Sequence, residues 1–275
     1  MPRDQLVNQP LTAGAPGGSG PVMTGNQRAG FIQALRSEWT KLRSLRSAIW
    51  TLTAMAGCIL GIAVFVGATR SLQPDDTVLG GSLTGAGAGL LVGASFGVLM
   101  MTREYAAGTI RTTFTACPRR LTVLAAKATV TAVAMFVVAL VACFLAYQIG
   151  TVMLAGGGYA PGAPWPALLG VAACFPVTGL LGLAVGTLLR HSAGAITIMI
   201  AAILAPSLFG PLLGDWQRWV AGASPLATLQ KLSQTSDAAP DVVGSLGAWP
   251  SLALVSGYAA VALGSAAALL RTRDV

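Results

Sequence analysis

Charge is scarce in this chain and absent from most of its length. Only 9% of the 275 residues are Asp, Glu, Lys or Arg, whereas 54% are hydrophobic. Five stretches contain no charged residue at all: 47–69, 77–102, 128–189, 192–214 and 242–270. Uncharged apolar runs of this length are stable only where the solvent is lipid. The composition therefore excludes a water-soluble domain of ordinary size and indicates a multispanning membrane protein.

The residues that most enzyme sites need are also scarce. His191 is the single histidine, so the chain cannot supply the paired histidines of a zinc protease or the base of a serine-type site. A Gly-rich phosphate loop followed by Lys and Ser or Thr is absent, which excludes ATP hydrolysis by this chain alone. We therefore expect no catalytic residue, no metal and no cofactor. The interiors of the spans also lack the charges expected of a proton- or sodium-coupled carrier.

The uncharged runs predict six transmembrane helices. Four of them suit one helix of about 20 residues each. The run 128–189 is too long for one helix, and Gly and Pro residues between 156 and 166 divide it in two. The predicted spans are 48–68, 82–101, 123–149, 167–189, 192–213 and 250–270. Helices are favoured over a β-barrel because the segments lack alternating polarity. The predicted fold class is an all-α membrane protein.

The basic residues predict the orientation of these spans. With the N-terminus in the cytoplasm, Arg70, Arg218 and Lys231 lie outside and the other 14 of the 17 Lys and Arg residues lie inside. The positive-inside rule therefore favours cytoplasmic N- and C-termini. Because the basic residues flank spans and form no separate basic domain, membrane lipid is an expected partner and nucleic acid is not.

The N-terminal region has two parts. Residues 1–27 are rich in Pro and Gly and predict a disordered cytoplasmic tail. Residues 28–47 predict an amphipathic helix on the membrane surface, whose apolar side carries Phe31, Leu35, Trp39, Leu42 and Leu45. Glu38 and Arg46 fall on or beside this apolar side, where lipid is a poor partner, so we expect both to contact protein. The remaining residues, 48–275, form the six-span domain.

Glycines recur at every fourth position in the second span. Gly85, Gly89, Gly93 and Gly97 form a ridge on which another helix can approach to backbone contact. Two interpretations remain open: close packing inside one subunit, or a sliding or subunit-contact surface.

The segment 102–120 is the one sizeable cytoplasmic loop of the predicted topology. It predicts a short helix ended near Gly108, followed by a turn at Pro118, Arg119 and Arg120. We expect Glu104 to pair with a basic residue of a partner, Tyr105 to fill a pocket and Arg111 to reach a carboxylate. A loop that only lies at the membrane interface is the alternative.

Two stretches resemble a known family. Residues 35–47, read as Leu-Arg-Ser-Glu-Trp-Thr-Lys-Leu-Arg-Ser-Leu-Arg-Ser, are similar to the start of permease subunits of the ABC type-2 exporter class, in the small six-span form of high-GC Gram-positive bacteria. Arg103-Glu104, the run 108–111 (Gly-Thr-Ile-Arg), Pro118-Arg119-Arg120 and Lys127 resemble that family's loop after span two. With the six-span layout, the resemblance covers residues 31–271.

The resemblance implies an exporter in a bacterial cell membrane, built from two such permeases and two separate ATP-binding subunits. The permease pair would be a homo- or heterodimer, and its cargo a drug, an antimicrobial peptide or a lipid. By the same resemblance, Glu104, Tyr105, Gly108, Thr109 and Arg111 are candidates for coupling to the ATPase, and Glu38 and Arg46 are candidate contacts of the N-terminal helix. The alternative function is a membrane anchor or signalling partner that transports nothing.

Overall fold

The fold was analysed in a computed structural model that describes residues 30–72, 76–108, 120–235 and 238–272. The described residues form helices and connecting turns, with no β-strand among them. Six of the helices are long and apolar enough to cross a membrane. The prediction of an all-α membrane protein with six such helices is confirmed. The predicted tail 1–27, Thr109 and Arg111 lie outside the described residues.

We number the α-helices in chain order. They are α1 (Phe31–Ser44), α2 (Arg46–Thr69), α3 (Val78–Ser82), α4 (Ala86–Ala106), α5 (Arg120–Met153), α6 (Pro164–Leu189), α7 (Ser192–Phe209), α8 (Gln217–Gly222), α9 (Pro225–Ser233), α10 (Pro240–Val243) and α11 (Ala248–Thr272). A 3₁₀ helix, Gly210–Trp216, connects α7 to α8. The spanning helices are α2, α4, α5, α6, α7 and α11, the last extended by the preceding turn.

The spanning helices run alternately in opposite directions. We call one end of the bundle the α1 end, where α2, α5 and α7 begin and α4, α6 and α11 end. The other is the opposite end, which carries α3 and the segment from Gly210 to Val243. Both described termini of the chain, residues 30 and 272, therefore lie at the α1 end.

Helix α6 is the centre of the bundle. It packs against α4, α5 and α11, and more lightly against α7 and α9. Fourteen of its residues are buried, and many of them are Ala, Gly or Thr, as at Gly179 and Gly182. Small side chains let neighbouring backbones come close, which is how helices pack where lipid supplies no hydrophobic driving force. Helices α2, α7 and α11 leave most of their apolar surface outward.

Several helix boundaries differ from the predicted ones, and two of these differences have a clear local cause. The N-terminal helix ends at Ser44, because Leu45 takes an extended conformation (φ −83°, ψ 100°), and α2 begins at Arg46. The second span begins at Ala86, four residues later than predicted, because residues 78–82 form the separate short helix α3. Thr77 caps α3 by accepting a hydrogen bond from the Gly80 N–H at 3.0 Å.

Candidate functional site

Four charged side chains meet at the α1 end of the bundle. Glu38 and Lys41 come from α1, Glu104 from the last turn of α4 and Lys127 from the second turn of α5. We call this group the four-charge cluster. Lys127 Nζ lies 2.5 Å from Glu38 Oε2 and 2.9 Å from Glu104 Oε1. Lys41 Nζ lies 2.7 Å from Glu38 Oε1 and 2.9 Å from the same Glu104 oxygen.

Burial makes this cluster unusual. The exposed fraction of the side chain is 1% for Glu38, 2% for Lys127, 12% for Glu104 and 37% for Lys41. Removing a charge from water costs several kcal/mol, and only close pairing and hydrogen bonding offset that cost. Here two carboxylates face two ammonium groups and the formal charges sum to zero. The cluster therefore holds three helices at defined positions relative to one another.

The local sequence explains how each charge reaches the cluster. On α1 the buried residues are Ala34, Glu38 and Leu42, which are spaced by four and face α5. Lys127 lies among the buried residues Leu124, Ala126 and Val130 of α5. The apolar neighbours place both side chains inside the bundle, where the opposite charge is the available partner. Phe31 and Trp39 of α1, and Leu45 directly after it, stay exposed.

Lys41 is the most exposed member of the cluster. Burial by itself lowers the pKa of Lys41, but the hydrogen bonds and negative charges of Glu38 and Glu104 outweigh it and raise the pKa above 10.5, the ordinary value. Lys41 therefore stays charged throughout the physiological pH range.

Further contacts join the remaining helices at this end. The Arg190 guanidinium, just after α6, lies over the Tyr105 ring of α4, 5.3 Å from the ring centre. Arg120, at the start of α5, donates a hydrogen bond to the Leu270 carbonyl of α11 at 3.0 Å. The ends of α4 and α6, and those of α5 and α11, are thus connected beside the cluster.

The space next to the cluster is too small for a cargo molecule. A cavity between Lys41, Thr51, Phe96 and Arg103 measures about 30 Å³, which is room for about two water molecules. The cluster accordingly acts as a connection between helices and does not form a binding pocket.

The structure brings only part of the predicted coupling set together. Glu104 and Tyr105 lie in the last turn of α4, which continues from the span without the break expected of a separate short helix. Gly108 follows in the left-handed conformation (φ 65°), which suits glycine at a helix end. Glu104 pairs with Lys41 and Lys127 of the same chain. The expectation that it pairs with a basic residue of a partner protein is therefore corrected.

The two residues predicted to make protein contacts on the N-terminal helix have different surroundings. Glu38 is buried and paired, whereas Arg46 is exposed. Arg46 is the first residue of α2, after the extended residue Leu45, and the expectation that it contacts protein stays a prediction.

The glycine ridge lies between α4 and its neighbours within the one chain. A Cβ on Gly85 would lie 2.7 Å from the Cys58 carbonyl oxygen of α2, and one on Gly89 2.9 Å from the Ile59 side chain. On Gly93 it would meet the Met135 methyl group of α5 at 2.9 Å. On Gly97 it would overlap the Gly179 carbonyl of α6. The ridge thus turns from α2 at the opposite end of the bundle toward α6.

Sequence reasoning missed Lys41 and Lys127 as site residues, and it treated the spans as free of buried charge. Lys127 lies inside the predicted span 123–149 and is buried. A signal was available: Lys127 interrupts an apolar run, and Glu104 lies just after the end of another at the same end of the bundle. Two opposite charges at the same predicted depth are an indication of pairing.

Comparison with known proteins adds no assignment. The chain matches no protein-family model, and no curated protein matches it. Among the described residues, no group of three or more His, Cys, Asp or Glu could hold a metal ion.

Proposed function

We propose that this protein is the membrane subunit of an ATP-driven exporter, of the ABC type-2 kind, in a bacterial cell membrane. A separate ATP-binding subunit would hydrolyse ATP, and a second permease, identical or related, would complete the path for a hydrophobic or amphipathic cargo. The α1 end, with both termini, would face the cytoplasm, as the distribution of basic residues favours. The resemblance of residues 35–47 and 103–120 to that family supports the proposal.

The observation that carries the proposal is the four-charge cluster. An ATPase that docks at the α1 end must move spanning helices, and movement is transmitted only through stiff contacts. Charge-assisted hydrogen bonds from α1 to α4 and α5 are short and strong. A displacement of α1 would therefore be passed to α4, and from α4 to α6 through the close contact of Gly97 with Gly179.

The surface on which the ATPase would dock consists of the exposed residues around the four-charge cluster. On α1 these residues include Arg36, Trp39 and Arg43, and beyond α4 they include Ala107 and Gly108. Thr109 and Arg111 follow directly in the chain. Glu104 then has an indirect role: it positions α1 against α4 and leaves the direct contacts to other residues.

Co-purification with the ATP-binding subunit encoded beside the gene tests the proposal. The wild-type chain should retain that subunit and stimulate its ATP hydrolysis. Lys41→Met should keep the complex but reduce the stimulated hydrolysis, because it removes one connection between α1 and α4 while Lys127 still bridges both glutamates. Arg70→Gln, at an exposed arginine of the opposite end of the bundle, is the matched control for loss of a positive charge.

Two results would contradict the proposal. A wild-type chain that binds no ATPase would favour the non-transporting anchor or signalling partner. A Lys41→Met complex with unchanged ATP hydrolysis would show that the four-charge cluster does not take part in coupling to the ATPase.

A further inference from the structure

A second feature lies at the opposite end of the bundle, far from the four-charge cluster. A cavity of about 650 Å³ opens between α8, the turn 244–247 and α11. Its volume falls within the range of roughly 300–1,000 Å³ that is typical of ligand sites. Its walls include Arg218 and Trp219 of α8, Leu246 of the turn, and Leu254 and Tyr258 of α11.

One wall of the cavity carries a single positive charge. Arg218 is exposed and is the one charged residue among the described residues that line the cavity. All four ion pairs in the described parts of the chain lie at the α1 end, so none of them neutralises Arg218. A guanidinium group offers several N–H donors in one plane, which suits the oxygens of a phosphate group. The charge therefore favours an anionic ligand.

The facing wall is apolar and continues into the membrane-facing surface. Leu254 and Tyr258 are one turn apart on α11, and Val261 follows on the same side with 75% of its surface exposed. A ligand with its anion at Arg218 would thus have an apolar path along α11. This separation of a charged end and an apolar end is that of an amphipathic molecule.

Tryptophans indicate the depth at which the cavity opens. Trp216, Trp219 and Trp249 lie at this end and are 71%, 69% and 49% exposed. Tryptophan is enriched at the boundary between headgroups and hydrocarbon, where its ring is apolar and its N–H is polar. Arg218 therefore lies at the level of the lipid phosphates, and Leu254 and Tyr258 lie toward the acyl chains.

The walls are held together by backbone contacts. A Cβ on Gly222 would overlap the Val243 carbonyl, so α8 and the segment before the turn are in direct backbone contact. Gly244 has φ 75°, and its Cβ position lies 2.7 Å from the Arg218 carbonyl oxygen. The residue that carries the charge is thereby fixed against the turn that forms the cavity wall.

We propose that this cavity binds one anionic phospholipid from the surrounding membrane, with its phosphate on Arg218 and an acyl chain along Leu254, Tyr258 and Val261. A free phosphate would use the guanidinium but would leave the apolar wall facing water. A phospholipid can contact both walls, with its phosphate on the charged wall and its acyl chain on the apolar wall. The bilayer provides such a molecule at the depth where the cavity opens. The assignment does not depend on a transport role for the chain.

Lipid retention by the purified full-length protein tests the proposal. Native mass spectrometry would count bound phosphatidylglycerol after titration of the protein in neutral phosphatidylcholine-containing detergent micelles. We expect wild type to bind one phosphatidylglycerol in preference to phosphatidylcholine. Arg218→Gln should weaken that binding by about tenfold, the effect of losing a charged hydrogen bond. Arg218→Lys should retain most of it, and Arg70→Gln, at an exposed arginine of the same end, should leave it unchanged.

A second variant tests the apolar wall separately. Leu254→Trp fills the cavity and keeps the charge, so phosphatidylglycerol binding should fall while the thermal unfolding midpoint stays near that of wild type. Three results would overturn the proposal: no preference for phosphatidylglycerol over phosphatidylcholine in wild type, equal binding by Arg218→Gln and wild type, or displacement of the lipid by millimolar inorganic phosphate. The last would identify a free anion as the ligand.

Discussion

Lys127 is, with Glu38, one of the two most buried charged side chains in the described residues. It is 2% exposed, and both of its partners, Glu38 and Glu104, are carboxylates contributed by other helices. Replacing it by a neutral residue would leave those carboxylates buried beside each other, with only Lys41 to compensate. Loss of one partner of a buried pair typically costs about 3–5 kcal/mol.

We therefore expect Lys127→Met to destabilise the protein by an amount in that range. The measurement is the unfolding midpoint of the purified protein in detergent, followed by intrinsic fluorescence. Arg36→Gln removes an exposed positive charge from α1 and should change the midpoint little. Equal midpoints for Lys127→Met and wild type would show that the cluster adds nothing to stability.

The pH dependence of the cluster follows from the raised pKa of Lys41. A lysine with a higher pKa in the folded than in the unfolded state stabilises the fold fully below its unfolded pKa, near 10.5. That stabilisation is lost as the pH rises through the folded pKa. The difference in unfolding midpoint between wild type and Lys41→Met should stay constant from about pH 7 to about pH 9 and shrink above about pH 10.5. A difference that shrinks toward acidic pH would contradict this assignment.

At the residue scale, the sequence predicted that Glu38 contacts protein but not which residue it meets. Its position beside the apolar side of α1 was readable from the helical period. Its partner Lys127 is 89 residues further along the chain, and the pairing depends on how α5 lies against α1. The helical period of α1 does not extend to Arg46, because the extended residue Leu45 separates α1 from α2.

Helix α4 shows how one element can contact different neighbours along its length. The spacing of its glycines predicted a close helix contact, and the structure shows several contacts in succession. Gly85 and Gly97 face main-chain carbonyl groups, whereas Gly93 faces the flexible end of Met135. A side chain such as methionine can move aside, but a helix backbone cannot do so without displacing the whole helix.

The four glycines should therefore differ in their tolerance of alanine. We expect Gly97→Ala to destabilise the protein by about 1–3 kcal/mol, the usual range for overpacking, and Gly93→Ala to cost less. Gly61→Ala, on the outward side of α2 where nothing lies within 4 Å of the Cβ position, is the matched control. It should be neutral or slightly stabilising, because alanine is the better helix former. The test is the unfolding midpoint of the three variants, and equal effects at Gly97 and Gly61 would refute it.

At the scale of the whole molecule, hydrophobicity was enough to predict the number of spans. Lipid imposes the same requirement of length and apolarity on every spanning helix, so each one leaves its own signal in the sequence. The arrangement of the helices leaves no such signal. The central position of α6 depends on small residues that contact α4, α5 and α11. The sequence of α6 alone does not show which helices it will contact.

The last prediction concerns which end of the bundle faces the cytoplasm. Helices that alternate in direction place Ala107 at the α1 end and Ala155 at the opposite end, and both residues are exposed. The positive-inside rule assigns the α1 end to the cytoplasm. In a background without the natural cysteines 58, 117, 143 and 174, a membrane-impermeant maleimide applied to intact cells should label Ala155→Cys. It should label Ala107→Cys only after the membrane is permeabilised, which is the internal control for cysteine reactivity. Labelling of Ala107→Cys in intact cells would reverse the orientation, and with it the side on which an ATPase could dock.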